Sequence, residues 1–310
     1  MTRRPAAAVA AAAEPAAPSR RPKRVGGASV EAARARALAE HLAAVERLAA
    51  TEANLARDPV RFPRAYRAAG GEPADIEIAA FVAAQLAYGR VDLFGPVIAR
   101  LLAVTDRYGG PAAYVRAFDA ERAAALDGLV YRWNRPQDFV LLFRTLQRVY
   151  SERGSLGALF APGPVARSLG DAIDALRAHA PAETTRGFRT WLAHPADGSA
   201  CKRHLMLLRW MVRREGVDLG MWTHLSPADL VIPLDTHVMR VSRFLGLTAR
   251  ADPSWRTAEE VTAALRAIDP EDPVRFDFAL AHLGISGACR GRRDAEVCPG
   301  CPLDRICAAD

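Results

Sequence analysis

The sequence predicts an all-α protein with a metal-binding module appended at its C-terminal end. Apolar residues recur at helical spacing through most of its 310 residues. No stretch shows the period-2 alternation of a half-buried strand, and no internal repeat is visible. Four of the five cysteines fall in the last 22 residues, as Cys289, Cys298, Cys301 and Cys307. A chain of this length, half of it apolar, can bury a sizeable core. No run of about 18 apolar residues is present, so no membrane span is expected.

Residues 1–30 carry Arg3, Arg4, Arg20, Arg21, Lys23 and Arg24 against one acid, Glu14. The apolar stretch there is alanine, interrupted by Glu14 and Pro15, and it reads as a disordered basic tail and not a signal peptide. Residues 31–56 are rich in Ala, Glu, Arg and Leu and predict a helix. Pro73 and Asp75 precede IEIAAFVAAQLAYG, with Asp75 placed to cap a largely buried helix. Gly95 and Pro96 interrupt the next stretch, which resumes as VIARLLAVTDRYG. Residues 136–153 start with proline in the first turn and carry Phe139, Leu142, Phe143, Leu146 and Val149 at helical spacing. Gly154 to Pro164 reads as a loop, and helices follow near 168–179, 184–193, 200–214, 236–245, 257–268 and 272–284. The domain reading is a tail over 1–30, a helical domain over 31–285 and a cysteine loop over 286–310.

The net charge is +7, and the tail carries five of those charges. A basic balance is compatible with a nucleic-acid partner, but here it is concentrated in the tail. Arg203, Arg209, Arg213 and Arg214 form a denser basic cluster, which taken alone reads as a solvated helix face.

The cysteines follow C-x8-C-x2-C-x5-C. Thiolates are soft ligands for zinc or for an iron–sulfur cluster. Structural zinc usually uses two short pairs separated by a longer loop. Here one short pair, Cys298 and Cys301, is flanked by single cysteines, which favours a compact 4Fe–4S cluster over zinc. A disulfide framework ranks last, because the rest of the chain has only Cys201 and nothing marks it as secreted.

The second strong signal is VIPLDTHVMRVSRFLGL, where Asp235 sits at a helix N-cap and Gly246 stops the helix. This D-T-H-V-x-R-V-x-x-x-L-G string, followed by the cysteine loop, resembles the endonuclease III branch of the helix–hairpin–helix (HhH-GPD) DNA glycosylases. The resemblance implies two helical subdomains with a cleft between them, and a catalytic role for Asp235. AAQLAYGRVDLFGPVIARL resembles the family segment whose glutamine fills the gap left by a flipped nucleotide, and Gln85 matches that glutamine. The family's L-P-G-V-G-x-K-T-A hairpin is missing, and EGVDLGMWTHLSPADLVIP stands in its place. In that respect the chain resembles the archaeal 8-oxoguanine glycosylases, where a lysine opens a helix upstream of the aspartate. Lys202 in SACKRHLMLLRWMVR matches it. The combination is most similar to a bacterial family of glycosylase-like proteins of unknown function. The resemblance covers about residues 50–310.

Composition singles out Lys202 independently. Of 42 basic residues only Lys23 and Lys202 are lysine. Arginine cannot deprotonate in a protein, so it cannot replace an amine nucleophile. Ser199 is placed to cap a helix beginning near Ala200, which sets Lys202 in its first turn, where the neutral amine is favoured. Asp235 can stabilise an oxocarbenium-like sugar or accept a proton. Cys201 reads as a small buried residue. His237 reads as structural, and the aromatics Trp210, Trp222 and Tyr131–Asn134 could line a base pocket but read first as core or interface.

The expectation is therefore a base-excision glycosylase acting on damaged double-stranded DNA, with or without AP-lyase activity, an oxidised purine being the favoured target. Lys202 and Asp235 would be catalytic. Gln85, Arg290, Arg292 and Arg293 would contact DNA, and the four terminal cysteines would hold a 4Fe–4S cluster. The expected form is a monomer, cytoplasmic and associated with the nucleoid. The rival is a non-catalytic iron–sulfur protein that binds distorted duplex.

Overall fold

The helix Pro73–Leu86 is apolar on all sides, so it must be enclosed by its neighbours. The computed structural model, which describes residues 27–309, arranges the helices around it. In chain order they are α1 (Gly27–Ala49), α2 (Glu52–Arg57), α3 (Arg61–Ala68), α4 (Pro73–Leu86), α5 (Val91–Asp106), α6 (Pro111–Arg116) and α7 (Ala120–Ala124). Then come α8 (Pro136–Arg153), α9 (Val165–His179), α10 (Arg186–Arg189), α11 (Lys202–Val212), α12 (Thr236–Phe244), α13 (Trp255–Arg266) and α14 (Asp277–Ile285). Among the described residues there is no strand, only two isolated bridges, so the fold is all-α. None of the described helices is long and apolar enough to cross a membrane.

Helix α4 packs against α3, α5, α6 and α11, and all its residues from Ile76 to Leu86 are buried. Burial of Glu77 is compensated in full: it accepts from Tyr150 Oη (2.8 Å), Ser155 Oγ (2.8 Å), Leu156 N (3.0 Å) and Trp222 Nε1 (2.7 Å). Trp222 is thereby a core residue. Helix α14 packs on α1 and α12, which brings the two ends of the described chain together.

Several local expectations are corrected. Asp75 is not the N-cap. The helix begins at Pro73 with Glu72 as cap, and Asp75 reaches back from the third position to the Glu72 amide (3.2 Å) in a capping box. Pro96 does not interrupt α5. It is exposed, the carbonyl it orphans belongs to the exposed Asp92, and Phe94, Ile98, Leu101 and Leu102 hold the opposite face in the core. The stretch 31–56 is two helices, because Thr51 caps a new start by accepting from Asn54 N (3.2 Å). The short helices α3, α6 and α7 had no periodic signal long enough to predict them. The basic tail lies outside the described residues up to Gly26, and Gly27–Val30 already belong to α1.

No second helix follows α11 where a helical hairpin would lie. Residues 213–235 form irregular chain with one 3-10 turn, Pro227–Asp229. This loop terminates α11: the amides of Leu219 and Gly220 donate to the Trp210 carbonyl (2.7 and 3.2 Å), and Trp222 N donates to that of Met211 (2.7 Å).

Candidate active-site cleft and cysteine centre

Two helix starts meet at one cleft. Asp235 caps α12 through Oδ1, which accepts from the amides of His237 and Val238 at 2.8 Å each. Its other oxygen, Oδ2, faces Lys202 Nζ at 4.0 Å. Lys202 is the first residue of α11, and the two side chains are 30 % and 18 % exposed, accessible yet largely enclosed. Both line a cleft of about 730 Å³, together with Tyr88, Gly89, Arg203 and Asp277. That volume falls in the range that takes a ligand of nucleoside size.

The α11 start differs from the sequence expectation. The cap residue is Cys201, in the left-handed region at φ 48°, where a non-glycine residue is strained. Ser199 supports it by accepting from Cys201 N at 3.2 Å. The Cys201 thiol is buried, and burial pushes it up to about 11, so it is a packing group beside Lys202 and not a thiolate. Strain of this kind is retained where the surroundings over-determine the backbone, and here it fixes the residue that precedes Lys202.

Beneath the cleft lies an ionic cluster that sequence reasoning misread. Arg209 and Arg213 are 3 % and 5 % exposed, so neither forms a solvated face. Arg209 pairs with Asp218 and Asp277, and Arg213 with Asp218 and Asp272. The signal was present in LMLLRWMVR: an arginine within a run of buried apolar residues requires a carboxylate partner. Burial pushes the Asp277 carboxyl up to about 6. Arg209 opposes that shift, Asp235 reinforces it and Lys202 opposes it, so Asp277 lies within electrostatic reach of the Lys202–Asp235 pair.

Gln85 is 1 % exposed and does not reach the surface in this conformation. Its amide nitrogen donates to His204 Nδ1 (3.2 Å), and His204 Nε2 donates to the Trp191 carbonyl (2.8 Å). Burial, then the neighbouring Arg203, drives His204 down to about 3, which keeps it neutral. Arg203 in turn donates to the carbonyls of Gln85 (3.0 Å) and Thr190. Trp210 lines the cleft but is fully buried, and the His237 ring packs against Gly284.

The four terminal cysteines line one small cavity, roofed by Val241, Phe244, Leu245, Leu283 and Leu303. Asp294 N donates to Cys298 Sγ at 3.3 Å, the kind of amide–sulfur contact that suits a cluster thiolate. Among the described residues no three His, Cys, Asp or Glu side chains are gathered tightly enough for a single ion. An all-sulfur donor set ringing an apolar cavity is one that either a 4Fe–4S cluster or a zinc ion would suit. The loop is stitched to the helices by Cys289 N to the Leu283 carbonyl (2.7 Å), Ala308 N to that of Phe244 (2.9 Å) and His41 Nδ1 to that of Pro302 (2.6 Å). Of the three arginines expected to contact DNA, Arg290 pairs with Asp294 (2.8 Å) and Arg293 with Asp304 (2.7 Å). Arg292 makes no ion pair among the described residues, which leaves it the most available of the three to a phosphate.

No curated protein and no solved structure matches the chain. A family model does: residues 58–286, which hold most of the cleft with Lys202 and Asp235 but end before the four terminal cysteines, match the family described as "Protein of unknown function (DUF2400)", and the chain belongs to that family.

Proposed function

We propose that the chain is a DNA base-excision N-glycosylase, with Lys202 as the amine nucleophile and Asp235 as the assisting carboxylate. The observation that carries this reading is the 4.0 Å approach of Lys202 Nζ to Asp235 Oδ2 in the cleft. An amine and a carboxylate at that separation suit attack on a sugar C1′. The amine supplies the electron pair, the base leaves with the pair of the N-glycosidic bond, and the carboxylate stabilises positive charge on the sugar and accepts the amine proton. Arginine stands at 40 of the 42 basic positions, which makes a retained lysine at this point chemically pointed. A base flipped from the duplex would occupy the cleft, and an oxidised purine is the favoured occupant. The four cysteines would hold a 4Fe–4S cluster that fixes the loop carrying Arg292.

The test is incubation of the protein with duplexes carrying oxidised, alkylated or deaminated bases, with and without borohydride. The expected result is excision of an oxidised purine and a borohydride-stable protein–DNA adduct that Lys202→Arg does not form. Tight binding to damaged duplex with no excision of any base would instead favour a non-catalytic DNA-binding protein.

A further inference from the structure

Trp133 is the outlier among the tryptophans. Trp191 and Trp210 are 0 % exposed, Trp222 3 % and Trp255 7 %, whereas Trp133 is 52 % exposed. It is nevertheless held in place. It sits in a tight turn closed by Tyr131 N to the Asn134 carbonyl (3.1 Å) and Asn134 N to that of Tyr131 (2.8 Å). Asn134 is fully buried and accepts from the Tyr88 hydroxyl, while the Tyr131 hydroxyl donates to the Tyr88 carbonyl. The turn is thus locked to the segment that forms the cleft wall.

The indole stacks on Tyr88, with ring centroids 5.1 Å apart and planes at 18°. Tyr88 lines the cleft, and Arg203, the neighbour of Lys202, lies over its ring at 5.4 Å. Arg132 lies over both rings, 5.8 Å from Tyr88 and 5.5 Å from Trp133, and makes no ion pair among the described residues. Its φ of 52° is one of two left-handed non-glycine conformations among the described residues; the other is Cys201 beside Lys202. Gly89 beside this contact has a φ of 85°, a backbone conformation that favours glycine.

We propose that Trp133, backed by Tyr88, is a stacking platform for an unpaired DNA base at the mouth of the Lys202 cleft, with Arg132 meeting the adjoining phosphate. The proposal rests on the DNA reading of the cleft. An exposed, immobilised aromatic plane beside unpaired guanidinium charge suits a flat base on an anionic backbone. A protein partner would call for a broader apolar patch than one indole. The platform would receive the base left unpaired when its partner is extruded toward Lys202, and so hold the opened duplex.

The test uses the full chain and two duplexes, one with a tetrahydrofuran abasic analogue that leaves a base unpaired, the other fully paired. Tryptophan emission reports stacking, and anisotropy of a fluorescein-labelled duplex reports binding. The wild type is expected to lose emission on binding the abasic duplex and far less on binding the paired one. Trp133→Phe, which keeps an aromatic plane, is expected to bind both duplexes as the wild type does, without that loss of emission. Trp133→Ala is expected to bind the abasic duplex about tenfold more weakly, with little change for the paired one. Binding of the abasic duplex without loss of emission, or equal affinity in Trp133→Ala, would overturn the platform and leave the DNA reading intact. Failure of the wild type to bind either duplex would overturn both.

Discussion

Lys202 and Asp235 face each other across 4.0 Å, yet only one carboxylate oxygen of Asp235 is turned to the lysine. The other is engaged by two amides at the start of α12. The aspartate is at once a helix cap and a candidate catalytic group, and the two roles fall on different atoms.

That division makes the roles separable. Asparagine also caps helices, so Asp235→Asn should keep stability within about 0.5 kcal/mol of the wild type, whereas Asp235→Ala should lose about 1 kcal/mol with the cap. Both should reduce excision by about 100-fold or more, because both remove the negative charge facing Lys202. Urea melts and single-turnover excision on the same preparations check this. Full excision by Asp235→Asn would reduce Asp235 to a cap.

Much of this site is legible in the sequence, and the reasons differ residue by residue. The Asp235 cap is visible because a cap followed by a periodic apolar helix is a local pattern, whereas its catalytic role is implied only by the resemblance. Lys202 is visible through composition, a signal that needs no geometry. Arg209 and Asp277, by contrast, meet across 68 positions, and only the packing of α14 brings them together. Gln85 was readable as a helix residue, but its burial follows from α11 lying on α4, which no local pattern encodes. Trp133 was readable only as a core or interface aromatic, because its exposure depends on the turn over Tyr131–Asn134, which no local pattern encodes. Pro96 failed as a helix breaker because its face looks to solvent, where water satisfies the carbonyl it orphans.

His204 should make the protein acid-sensitive in a defined window. Its folded pKa of about 3 lies below the ordinary 6.5. The unfolded chain therefore takes up a proton that the folded one refuses. The stability from this group is fully present above pH 6.5 and is lost as pH falls toward 3. His204→Gln can still donate to the Trp191 carbonyl but does not titrate. It should be about 1 kcal/mol less stable at pH 7 and lose less than the wild type between pH 6.5 and 4. Denaturant melts across that range measure it, and parallel slopes for the two proteins would count against the assignment.

The buried ion cluster should be costly to open. Arg209→Met leaves the Asp277 carboxyl without its guanidinium and should destabilise by about 3–5 kcal/mol at pH 8. Asp277 already has its folded pKa raised to about 6. A raised carboxylate contributes stability that is fully present below the unfolded value of 3.8 and is lost as pH rises through 6. Without Arg209 the folded value rises further, so the destabilisation should shrink from pH 8 to pH 5. Adding Asp277→Asn to Arg209→Met should recover part of the loss, and thermal or urea melts of the wild type and the two variants at both pH values decide it.

The cysteine loop should depend on its cluster for order. Burial, and then the neighbouring cysteines, push the thiols of Cys301 and Cys307 up, so the bare groups stay protonated. A bound cluster would reverse that balance by taking the thiolate form. Protein purified without oxygen should therefore be brown and contain about four irons per chain. Cys298→Ser removes the sulfur that accepts the Asp294 amide, and should lower iron content and loosen the contacts from the loop to α1, α12 and α14. Hydrogen exchange should then rise in residues 286–309 and at the end of α14, while α4 and α8, which lie outside those contacts, stay protected. Iron analysis with the visible spectrum tests the first half and exchange tests the second. A colourless protein with one tightly held zinc, equally protected in the loop, would replace the cluster with a structural zinc site.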